Sequence, residues 1–106
     1  MVSHSVKLGL YLPAPQHARM VEAVLGAGRG ALQAAYAQAF IDLLDALDAG
    51  LEQTFVVVRG PKRRVTVRLP SALCERIRSA LTQRSLKITD FVCAAIDRHL
   101  TPKPGA

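Results

Sequence analysis

Three hydrogen-bond donors stand two residues apart in "RRVTVRLP", residues 63–70: Arg64, Thr66 and Arg68. They alternate with Val65, Val67 and Leu69, which is the period of a strand that carries donors on one face and aliphatic side chains on the other. A guanidinium offers parallel N–H groups in a rigid fork, so two arginines around a threonine suit an acceptor-rich surface. A looser version of the pattern lies near the start of the chain in "VKLGLYLP". There Lys7, Gly9 and Tyr11 alternate with Leu8, Leu10 and Leu12, and Pro13 ends the run as Pro70 ends the other.

The charge distribution singles out the second of these stretches. The chain has 106 residues and a formal net charge of +6, a sign that favours a polyanionic partner. Residues 1–61 hold 4 basic and 5 acidic side chains, and residues 62–106 hold 10 and 3, so the positive charge belongs to the second part. Half of the residues are apolar, enough for one small folded domain or two units that share a core.

Other groups capable of chemistry lack the spacing for it. "GAGRG", residues 26–30, has the glycines of a phosphate loop but follows a helical pattern and lacks the Lys-Ser/Thr sequel, so it reads as a loop. Asp42, Asp45 and Asp48 recur every three residues beside Leu43, Leu44 and Leu47, as on the wet side of an amphipathic helix. His4, His17 and His99 are scattered, and no His/Cys pair has zinc-ligand spacing. Cys93 lies among apolar residues and reads as a small buried hydrophobe, and nothing near Cys74 activates it. No acid/base pair or oxyanion site is evident, so we expect no enzyme, no metal and no cofactor. Two cysteines imply no disulfide framework. The opening residues lack signal-peptide character, and the apolar run from Ala31 to Phe40 is too short for a bilayer, so a cytoplasmic protein without membrane contact is expected.

The elements that position the donors follow from periodicity. Pro70 suits the first turn of a helix, and "SALCERIRSALTQRS" then spaces Leu73, Ile77 and Leu81 by four. "LKI" fits a turn. Thr89 and Asp90 are N-cap candidates for a second helix, "DFVCAAIDRHL", whose apolar side is Phe91, Val92, Ala95, Ile96 and Leu100. A lone strand leaves its backbone groups unpaired, so a second strand must come from another chain or from earlier in this one. The earlier sequence supplies a match. With an offset of 57, Leu8, Leu10 and Leu12 fall on Val65, Val67 and Leu69, Met20 on Ile77 and Val24 on Leu81. With a one-residue shift at "GAGRG", Tyr36, Phe40 and Leu44 fall on Val92, Ile96 and Leu100. The chain thus reads as two strand-helix-helix units, 6–48 and 63–100, with a connector over 49–62, a tail over 101–106 and one shared core. "TFVVV", residues 54–58, fits neither unit and is open between an added strand and an extended connector.

Residues 63–100 resemble, from end to end, the ribbon-helix-helix family of DNA-binding proteins, and residues 6–48 resemble it more loosely. The resemblance implies a mainly α fold with a short two-stranded antiparallel β-ribbon over four helices. Here that fold would be a tandem ribbon-helix-helix, a single-chain pseudo-dimer that supplies both strands itself. The tandem layout is similar to relaxosome accessory proteins of conjugative plasmids. Carried over onto this chain, the base-contacting positions are Lys7, Gly9, Tyr11, Arg64, Thr66 and Arg68. Phosphate contacts are expected at Arg29, Arg63, Lys87 and the helix start at Thr89 and Asp90, where backbone N–H groups favour anions. The major groove, about 12 Å wide, admits a two-stranded ribbon and displays acceptors that arginine grips in bidentate fashion. If Gly9 pairs with Thr66, Lys7 faces Arg68 and Tyr11 faces Arg64. The first unit lacks a capping side chain around "RGALQ", and Gly9 has no side chain to read a base, so the two units are expected to contribute unequally.

The function implied is sequence-specific binding of double-stranded DNA, in plasmid transfer or maintenance alongside relaxosome proteins or in transcriptional repression. Two alternatives stand beside it. One is a protein-interaction module of the same fold. The other is a homodimer through residues 62–100, with the N-terminal half as a helical appendage.

Overall fold

The computed structural model describes residues 5–101; His4 and tail residues 102–106 lie outside them. The elements run β1 (Ser5–Leu12), α1 (Ala14–Ala23), α2 (Ala31–Asp48), β2 (Arg63–Pro70), α3 (Ser71–Arg84) and α4 (Ile88–Leu100). The fold is mostly helical with one two-stranded antiparallel sheet. The partner of β2 is β1 of the same chain, in a register that pairs Lys7 with Arg68, Gly9 with Thr66 and Tyr11 with Arg64.

The alternating pattern sets the sheet's two faces. Leu10, Leu12, Val67 and Leu69 are fully buried, with Leu8 and Val65 at the margin, while Lys7, Tyr11, Arg64, Thr66 and Arg68 are exposed. The inner face lies on a core drawn from all four helices, including Met20, Tyr36, Phe40, Ile77, Phe91 and Ile96. Helices from the two halves interlock in that core: α1 packs on α4, and α3 on α2. Each strand runs into its following helix through a proline at the N-cap, where no backbone N–H is needed (Pro13 and Pro70).

Two helix ends are closed in the same way. After α2, the Leu51 N–H bonds to the Ala46 carbonyl and the Gly50 N–H to that of Leu47, with Gly50 left-handed at φ 92°. After α3, Leu86 and Ser85 make the equivalent bonds to Leu81 and Thr82, with Ser85 left-handed at φ 53°. This closure satisfies carbonyls that the helix leaves unpaired. It turns the chain sharply before α4 in one case and before the connector in the other.

Residues 54–58 are neither an added strand nor a helix. They form an ordered strap across α4. Phe55 stacks on Phe91 with ring centroids 6.5 Å apart, and the Val58 N–H donates to Asp90 Oδ1 across 2.9 Å. Val58 and Phe55 pack on the core, whereas Val56 and Val57 are 72% and 57% exposed. No helix is long and apolar enough to cross a membrane among the described residues.

Candidate nucleic-acid interface

The outer face of the ribbon gathers all six residues singled out in the strands. Gly9 and Thr66 form its central pair, with Lys7/Arg68 to one side and Tyr11/Arg64 to the other. Lys7 and Arg68 are like charges directly opposite, an arrangement that weakens a sheet unless something anionic lies over it. Among the described residues the ion pairs are made elsewhere: Arg19 with Asp97 at 2.6 Å, and Arg76 with Asp45 and Asp48 at 3.0 Å each. No acidic side chain among the described residues forms an ion pair with Lys7, Arg63, Arg64 or Arg68. The aspartates of α2 thus cancel charge on α3, and the ribbon keeps its own.

Arg64 reaches beyond its own partner. Its guanidinium lies over the backbone of Gly9, diagonally across the sheet, so that a Cβ placed on Gly9 would stand 3.5 Å from Nε and 3.6 Å from Nη2. Diagonal neighbours on a sheet are within reach of long side chains. A Cβ there would touch the guanidinium at ordinary van der Waals distance, and the atoms of a larger side chain at residue 9 would contend with Arg64 for the middle of the face.

Helix starts flank the ribbon on both sides. The Arg68 N–H donates to Oε1 of Gln33, in the first turn of α2, and the Thr89 hydroxyl, in the first turn of α4, donates to the Tyr11 carbonyl across 2.9 Å. Helix α4 begins at Ile88 after Lys87, one residue before Thr89, which corrects the expected N-cap. Neither Thr89 nor Asp90 caps the helix, because both side chains have other partners. Asp90 is 7% exposed and accepts from the Val58 N–H, so its carboxylate stays inside the fold. Of the residues expected at phosphates, Arg29, Arg63 and Lys87 are exposed, with Arg29 in the loop before α2 and Lys87 at the N-cap of α4. Gly30 caps α2 with a left-handed backbone (φ 81°) and offers no side-chain oxygen.

His17 Nδ1, on α1, lies 2.7 Å from the Tyr36 hydroxyl, on α2. Burial, and then the nearby Arg63 cation, hold the His17 imidazole below its ordinary value. Burial, followed by Cys93, pushes the Tyr36 phenol up to about 12. Cys74 and Cys93 are both buried and free, and burial raises both thiols. These groups serve packing: a buried phenol finds a hydrogen-bond partner, and buried thiols stay protonated.

Gln33, the Arg64–Gly9 contact and the Val58–Asp90 tether carry no signature of their own in the sequence. Gln33 had one indirect signal. The same one-residue shift that aligns Tyr36 with Val92 also sets Gln33 on Thr89. Comparison with protein-family models, curated proteins and solved structures finds no match.

Proposed function

We propose that this chain binds double-stranded DNA sequence-specifically, as a tandem ribbon-helix-helix pseudo-dimer whose β1–β2 ribbon enters the major groove. The observation that carries the reading is the ribbon itself. The centre of its inner face, Leu10, Leu12, Val67 and Leu69, is buried in the core, while its outer face holds Lys7, Arg64 and Arg68 without acidic partners among the described residues. Bases are read from these positions together with Thr66 and Tyr11. Arg29, Arg63, Lys87 and the first amides of α4 hold phosphates and fix the register. The roles we assign are those inferred from the tandem layout: plasmid transfer or maintenance with relaxosome proteins, or repression of transcription, in the cytoplasm.

Several features support two equivalent units around a local two-fold axis. The register is centred on Gly9 and Thr66, which are equivalent under the offset of 57. Gln33 bonds the backbone of Arg68 and Thr89 that of Tyr11, and these are equivalent residues contacting equivalent residues of the other unit. Arg19 and Arg76, also equivalent, each reach an aspartate on the other unit's second helix. Pairing of β1 with β2 within one chain speaks against a homodimer made through residues 62–100 alone.

The test is a titration against a random-sequence duplex pool at several salt concentrations, with sequencing of the retained fraction. Affinity should fall steeply with salt and one motif should be enriched. Arg68→Ala should cost roughly 1–3 kcal/mol of discrimination at one base position, and Tyr11→Ala less. A protein-interaction role is favoured by one feature, the exposed Val56 and Val57. Absence of binding to any duplex at low salt transfers the assignment to it.

A further inference from the structure

The two strands are not equivalent at the centre of the ribbon. Residue 9 is the centre of the ribbon and has no side chain, and the space above it is taken by a residue of the other strand. Arg64 Nε and Nη2 stand 3.5 and 3.6 Å from the place of a Cβ on Gly9, and Thr66 is the residue directly opposite. Both donors at the centre therefore come from β2, whereas β1 contributes only Lys7 and Tyr11 toward the ends.

We infer that Gly9 sets specificity by being empty: Arg64 reads the base pair at the centre of the footprint through the space above Gly9, which makes the recognised duplex non-palindromic with a guanine near its middle. This rests on the DNA-binding reading above and adds which base position is read, and by what. Guanine is the partner because its O6 and N7 match two parallel guanidinium donors, and a central Thr66 hydroxyl accepts several base edges without competing for that match. Asymmetry follows from geometry. Around a local two-fold axis, Arg64 corresponds to Lys7, but Lys7 faces the centre across Thr66, which has a side chain in the way.

The experiment compares motifs selected from a random duplex pool by the wild-type chain, Gly9→Thr, Arg64→Ala and the double variant. Gly9→Thr fills the space with a residue that strands accommodate well, and a thermal melt reports that it is folded. The expected result is a wild-type motif with a central guanine, a ~5- to 150-fold loss of preference at that position in Gly9→Thr, and retention of the other positions. Arg64→Ala should lose the same position, and adding Gly9→Thr to it should change nothing more there. A wild-type motif that persists in Gly9→Thr, or a change spread over all positions, overturns this inference alone. A wild-type chain that enriches no motif overturns the DNA-reading function as well.

Discussion

The Thr89 hydroxyl donates to the carbonyl of Tyr11 across 2.9 Å, so the first turn of α4 is fastened to β1, the strand that carries the exposed Lys7 and Tyr11. Gln33 fastens α2 to β2 with the opposite polarity, its Oε1 accepting from the Arg68 N–H. These two bonds tie one strand each to the start of a helix. Thr89→Val should therefore cost about 0.5–1.5 kcal/mol in denaturant unfolding, the typical net worth of one hydrogen bond, and Thr89→Ser should restore most of it.

Asp90 is the anchor of the connector. Its buried carboxylate accepts the Val58 N–H, and removing it leaves that amide without a partner while Phe55 remains stacked on Phe91. Asp90→Ala should destabilise the chain by about 1–3 kcal/mol. Amide hydrogen exchange should show Val58 losing protection in the variant more than the β1–β2 ladder does.

Lys7 and Arg68 face each other on the ribbon, where like charges cost stability. Lys7→Thr should raise stability by a few tenths of a kcal/mol, roughly the scale of one cross-strand pair, and more at low salt than at high salt. The same substitution should weaken duplex binding and lower its salt dependence by about one counterion. Unfolding and binding titrations on one preparation check both signs together.

His17 gives the fold a defined response to acid. Its imidazole sits below the ordinary value of 6.5 because of burial and then Arg63, so the folded chain takes up its proton at lower pH than the unfolded chain. The His17 contribution is complete above about pH 6.5 and is lost as pH falls from there through the folded value. His17→Gln keeps a polar partner for Tyr36 and removes the titration. The difference between wild-type and variant unfolding free energies should be flat from pH 8 to 7 and shift against the wild type below 6.5.

Much of the architecture was legible in the chain. Period-two alternation ending in a proline marked both strands, and period-four spacing marked the buried stripes of the helices. These patterns follow from which side chains water rejects, and the core in the structure contains them: Leu10 and Val67, Met20 and Ile77, Phe40 and Ile96. The internal match made a pairing of Gly9 with Thr66 conceivable, and the structure has that register. Local composition misread the start of α4. Thr89 and Asp90 are good caps in isolation, but tertiary partners at Tyr11 and Val58 satisfy them better and move the helix start to Ile88.

The sequence by itself thus determined the two faces of each strand and the excess of positive charge in the second half, since each depends on residue type and spacing along the chain, whereas the pairing of β1 with β2 and its register came from the structure. Only the tertiary structure decided that the α2 aspartates neutralise Arg76, that "TFVVV" is a strap held by Phe91 and Asp90, and that Arg64 occupies the space over Gly9. Each of those joins residues far apart in the chain, and which groups meet there is settled by how the helices and strands pack, not by any local preference.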